Sequence, residues 1–133
     1  MFIIYILIGG FLGGIARYAL SSWILQNIKT EFPLGTFVVN CLGSALAGTF
    51  LASGILLSKS ADADLLEAFV LIGFLGSMTT FSSFSLDGYR LIAQNKVTSA
   101  IIYSIATPLC ALAGFSLIFL INALTGTDGG ALN

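Results

Sequence analysis

Four long stretches with almost no charge constrain this chain more than any other feature of its sequence. Residues 2–28 contain a single charged side chain, Arg17, and residues 32–58, 68–86 and 97–127 contain none. The charges gather between the stretches. Lys29 and Glu31 follow the first, Lys59, Asp62, Asp64 and Glu67 the second, and Asp87, Arg90 and Lys96 the third. A hydrocarbon core of about 30 Å takes ~20 helical residues to cross. Backbone groups in lipid must pair within the protein, which leaves helices or a closed barrel. No stretch shows the sustained apolar/polar alternation of a barrel strand. The sequence therefore reads as an all-α membrane protein of one domain, residues 1–133, with four transmembrane helices at 2–28, 33–57, 68–90 and 97–123.

Composition supports the same solvent. Asp, Glu, Lys and Arg make up 8 % of the 133 residues, against about 25 % in soluble domains. Hydrophobic residues make up 57 %, more than so small a chain can bury in its own core. A net charge of −1 gives no footing for a nucleic-acid partner. The opening MFIIYILIGG lacks the basic start of a signal peptide and runs on as apolar sequence, so it reads as a retained first helix. Cys41 and Cys110 lie in apolar runs and read as small packing residues. The chain has no histidine, the commonest metal ligand and proton shuttle.

Small residues recur at four-residue spacing: Gly9 with Gly13, Gly10 with Gly14, Gly43 with Ala47, and Ser44 with Gly48. This spacing lets helix backbones approach closely. Four helices of this length are a thin wall for a pore, so an oligomer is expected.

The polar residues inside the spans carry the functional signal. Arg17 either snorkels and ties helix ends together or places a positive charge near an anion pathway. Asn40, with Thr36 one turn before it, either bonds a neighbouring helix or offers donors to a pore. The third span reads GFLGSMTTFSSFS over residues 73–85. Its glycines and hydroxyls permit a helix broken near mid-membrane, with carbonyls freed to hold a cation. Phe81, Phe84 and Ser85 would share one face. Aromatic rings are positive at the edge, so such a face suits an anion when the edges turn inward and lipid contact when they do not. Tyr103 and Thr107 sit one turn apart ahead of Pro108. No Asp or Glu lies deep in a span, and no nucleophile–base pair, metal cluster or phosphate loop is present. The sequence gives no enzyme.

At these residues the chain resembles the Fluc (CrcB) fluoride-channel family. GGFLGGIARY at 9–18, PLGTFVVNCLGS at 33–44 and GFLGSMTTFSSFS at 73–85 are similar to its first three helices, in order. The resemblance implies an antiparallel, dual-topology homodimer in a prokaryotic plasma membrane, with two pores that export fluoride passively. It implies a fluoride pathway of Asn40, Phe81 and Phe84, a polar track of Thr80, Ser82, Ser83 and Ser85, and the hydroxyls of Tyr103 and Thr107. Arg17 matches the family's first-helix arginine. The backbone carbonyls of Gly76 and Thr79 match positions that hold a structural Na+ on the two-fold axis.

Two alternatives stay open at this stage. A small multidrug exporter also has four short spans, but works through a first-helix glutamate where this chain has Arg17. A subunit that assembles without conducting is the other. The positive charges also pull against dual insertion. Lys29, Arg90 and Lys96 share one side and Lys59 the other, which leans loops one and three toward the cytoplasm.

Overall fold

The computed structural model describes residues 1–53 and 60–124. The end of the expected second span and Lys59 lie outside the described residues. Helix α1 covers Phe2–Asn27 and α2 covers Leu34–Ala52. A third helical run follows in pieces. It comprises α3 (Ala61–Glu67), a wide π-helical segment (Ala68–Leu75), α4 (Gly76–Met78) and α5 (Phe81–Ala93). Helix α6 covers Val97–Leu124. No strand occurs among the described residues.

The local sequence accounts for the boundaries. Pro33 stands at the N-cap of α2, where its missing N–H costs no helical bond. Ser60 caps α3 by accepting from the Ala63 N–H at 3.2 Å, and Asp62 and Asp64 favour the positive end of that helix. Helix α5 ends in a Schellman turn. Lys96 N–H donates to the Leu91 carbonyl and Asn95 N–H to the Ile92 carbonyl, both at 2.9 Å. Asn95 takes the left-handed conformation (φ 60°) that this turn requires. Helix α6 runs through Pro108 without ending.

Four helical stretches are long and apolar enough to cross a membrane: Phe2–Asn27, Leu34–Ala52, Ala61–Ala93 and Val97–Ile121. Large apolar side chains such as Leu7, Phe11, Ile105 and Leu112 lie exposed along them. Outward-facing Leu and Ile need no polar cover when the solvent is lipid.

Glycines hold the bundle together. Helix α1 packs on the π segment through Gly9 and Gly13. A Cβ on Gly9 would run into the Phe69 carbonyl, and one on Gly13 into the Phe74 carbonyl and Ser77 Oγ. Ser77 Oγ donates to the Gly10 carbonyl at 2.6 Å across this contact. Helix α2 packs on α6 in the same manner. A Cβ on Gly48 would lie 2.6 Å from the Phe115 carbonyl oxygen. The sequence left both first-helix glycine pairs as packing candidates. Here Gly9 and Gly13 meet a neighbour, while a Cβ on Gly10 or Gly14 meets nothing within 4 Å.

Gly13→Ala is expected to lower stability by about 1–3 kcal/mol, the usual result of forcing atoms into a packed contact. Gly114→Ala, whose new carbon would sit at ordinary contact distance from Ala45 (3.5 Å), should leave stability nearly unchanged. Thermal unfolding of the purified variants in detergent tests both.

Candidate functional site

The third helical run is interrupted at two residues. Thr79 (ψ 152°) and Thr80 (φ −153°, ψ 119°) are extended between α4 and α5. In an unbroken helix the Thr80 N–H would bond the Gly76 carbonyl. It donates instead to Asn40 Oδ1 at 2.8 Å, while Asn40 Nδ2 donates to the Thr80 carbonyl at 3.1 Å. The Asn40 amide thus pairs with both backbone groups of one residue, as a neighbouring strand would. The amide keeps a second N–H for another acceptor. Gly43, one turn along α2, gives Thr79 room: a Cβ there would overlap the Thr79 methyl group.

Hydroxyls secure the restart of the helix. Thr80 Oγ1 caps α5 by accepting from the Ser83 N–H at 3.2 Å. It also lies 3.1 Å from Ser82 Oγ and 3.3 Å from Ser83 Oγ. On the other side of the break, Thr79 Oγ1 donates to the Leu75 carbonyl at 3.1 Å.

A groove of about 400 Å³ opens over the break. Asn40, Gly76, Thr79, Thr80, Phe81, Phe84 and Thr107 line it, together with Ser44, Pro108 and Ala111. The two phenylalanine rings lie 5.6 Å apart at 42°. Phe84 is half-buried, whereas Phe81 is 80 % exposed on the single chain. Phe84 rests on Tyr103, ring centroids 5.1 Å apart. Tyr103 is 0 % exposed and Thr107 4 %. Both hydroxyls are buried without a well-formed hydrogen bond among the described residues. Buried hydroxyls are nearly always paired; of these two, Thr107 lines the groove and Tyr103 lies behind Phe84, which lines it.

The remaining predicted residues separate. Arg17 and Ser83 line a second groove of about 350 Å³ with Thr80, Asp87 and Arg90. No ion pair to Arg17 occurs among the described residues. Ser82 and Ser85 are exposed, and neither lines either groove. Gly76 and Thr79 line the first groove. Cys41 and Cys110 are free thiols, both half-buried. No cluster of His, Cys, Asp and Glu fit for a metal occurs among the described residues.

One polar contact was not anticipated. Thr36 Oγ1 donates to Asp87 Oδ2 at 2.6 Å, and the other carboxylate oxygen faces the Arg90 guanidinium at 3.4 Å. In the sequence Asp87 follows an uncharged run and reads as a charge near the end of the third span. Its i,i+3 spacing to Arg90 was the available signal.

Comparison with known proteins bears on the same residues. The CrcB-like protein, Camphor Resistance (CrcB) family model matches residues 4–120. The chain belongs to the CrcB-like family. Among its curated relatives, the fluoride-specific ion channel FluC of Rhizobium meliloti is 39 % identical over 117 residues, covering 87 % of this chain and 92 % of the relative. That of Anaeromyxobacter dehalogenans is 38 % identical over 126 residues, covering 93 % and 98 %. That of Hahella chejuensis is 34 % identical over 114 residues, covering 86 % and 88 %. These relatives of the CrcB-like chain carry channel names, not enzyme names. The matched span takes in every groove residue from Asn40 to Ala111.

Asn40→Leu removes the partner of both Thr80 backbone groups. Leaving a buried polar group unpaired costs about 1–3 kcal/mol, so a drop of at least that size is expected. Faster amide exchange at Thr80, read by mass spectrometry or NMR, would locate the loss at the break.

Proposed function

We propose that this CrcB-family chain is a fluoride-selective channel that exports fluoride passively across a prokaryotic plasma membrane. The observation that carries the reading is the pair of orphaned hydroxyls, Tyr103 and Thr107, beside the Phe81–Phe84 pair. Fluoride is small and strongly hydrated. A narrow path must replace its water with donors that hold it weakly enough to release it. Hydroxyls, the spare Asn40 N–H and positive ring edges meet that need, and none is a full charge that would trap the ion. The names of the relatives supply the ion. The deep spans offer no carboxylate for proton coupling, so the transport is passive.

The groove is one wall of a path, with Phe81 left bare on it. A second copy in the opposite orientation closes it. The active unit in this reading is an antiparallel homodimer with two pores. The interruption at Thr79–Thr80 is then the mid-membrane break of the third span. Ser82, Ser83 and Ser85 continue the polar track, and Arg17 attracts the anion at its entrance.

Sodium fits the same break. Diversion of the Thr80 N–H to Asn40 takes the helix partner from the Gly76 carbonyl, and Thr79 is extended beside it. Two carbonyls from each copy make four oxygen ligands of the kind a hard cation takes. Bound there, Na+ would supply a fixed positive charge at the centre of the dimer. Asn40 holds the extended Thr80 backbone through its own two hydrogen bonds.

Purified protein in liposomes should release fluoride to an electrode and retain chloride. Equal release of both ions, or none, overturns the reading. Phe81→Ile and Phe84→Ile should each cut flux on the order of tenfold or more, about 1.4 kcal/mol in the barrier, while the dimer persists on size exclusion. Prolonged dialysis into sodium-free buffer should abolish flux, and added Na+ should restore it. Flux that survives complete removal of sodium argues against the cation site.

A further inference from the structure

Tyr103 has at most a weak polar tether. Its hydroxyl faces Thr36 and the Asp87 carboxylate without a well-formed hydrogen bond among the described residues. Packing therefore does most to set where its ring sits. Two rings touch it. Phe84 lies at 5.1 Å and 37°, and Phe32 at 5.4 Å and 82°. Phe32 makes a second near-perpendicular contact with Phe37 at 5.7 Å and 73°. Phe32, Phe37 and Phe84 all pack against the buried cluster of Leu91, Ala100 and Tyr103.

Phe32 differs from the others in belonging to no helix. It sits in the loop between α1 and α2 and reaches into the bundle from there. The loop is tied down on both sides of it. The Phe32 N–H donates to Thr30 Oγ1 at 3.1 Å, and the Leu34 N–H to the Phe32 carbonyl at 2.7 Å. Glu31 pairs with Lys96 at 3.0 Å, joining the loop to the turn between α5 and α6. These short-range ties fix the backbone from which the Phe32 ring projects.

We infer that Phe32 is a positioning residue for the ion pathway, a loop-borne wedge that aims the Tyr103 ring and, through it, Phe84. The inference rests on the conduction proposed above. Perpendicular aromatic contacts are directional, so the Phe32 ring holds Tyr103 against rotation as well as filling space. Without the ring, a void opens beside Tyr103. The phenol then gains freedom to swing its hydroxyl out of its place beside Thr36 and Asp87, and Phe84 loses the surface that backs it. The loop thereby acts on the selectivity of a path it does not line.

The test uses the full-length protein in liposomes with separate fluoride and chloride efflux measurements. Phe32→Leu should lower the fluoride-over-chloride ratio on the order of tenfold, and Phe32→Tyr, which keeps the ring, should restore it. A purely structural role would reduce the yield of active protein without moving the ratio. The second reading is a double-mutant cycle with Tyr103→Phe. If Phe32 works by aiming the hydroxyl, the double variant is little worse than Tyr103→Phe alone. Should Phe32→Leu fail to assemble, Phe32→Met, similar in volume and without a ring, carries the same comparison. A ratio unchanged in the ring-less variant, or losses that multiply independently of Tyr103→Phe, overturns the inference. Absence of fluoride flux in the unsubstituted protein instead overturns the conduction reading, and this inference with it.

Discussion

The side-chain amide of Asn40 does for Thr80 what another turn of helix would otherwise do. One acceptor and one donor on α2 meet one donor and one acceptor on the third helical run, at 2.8 and 3.1 Å. Two extended residues inside an apolar bundle would otherwise leave backbone groups bare, which hydrocarbon does not tolerate. With that pair satisfied, the chain can end one helix at Met78 and start another at Phe81. The rest of the site follows from the restart. Thr80 becomes an N-cap, its hydroxyl gathers Ser82 and Ser83, and the new helix turns Phe81 and Phe84 toward the groove.

A break of this kind needs close neighbours, and glycine supplies them. Gly43 clears the space that the Thr79 methyl group occupies, and Gly9 and Gly13 bring α1 onto the π segment just ahead of the break. The contacts are backbone against backbone. In lipid such packing carries much of the association that the hydrophobic effect carries in water. Few side chains are buried in the single chain, so its cohesion rests on these approaches and on a small number of hydrogen bonds between helices.

The polar groups inside the bundle fall into two kinds. Asn40, Ser77 and Thr36 spend their hydrogen bonds within the protein. Tyr103 and Thr107 make no well-formed hydrogen bond among the described residues. Under the proposed function, that division is what makes a path. Groups already paired hold the walls, and unpaired groups are left for the ion. The aromatic chain from Phe32 through Tyr103 and Phe84 to Phe81 runs from the loop past the buried Tyr103 hydroxyl to the groove.

Much of this was legible before any fold was known. The spacing of charges determined four membrane-crossing helices, because hydrocarbon excludes charge and demands internally bonded backbone. The run of glycine and hydroxyl residues over 73–85 marked where a helix could part. Other features needed the third dimension. Both glycine pairs of α1 have the same spacing, and only packing separates Gly9 and Gly13 from Gly10 and Gly14. Asn40 was left between a helix-to-helix bond and a pore donor, and its partner proved to be Thr80, forty residues away. Asp87 gave no sign of Thr36, and Phe32 read as a loop residue. Such pairings depend on which helix faces which, and one-dimensional periodicity holds no information about that. Sequence determined the solvent and the elements; tertiary structure decided which polar groups found partners, because pairing is set by distance in space.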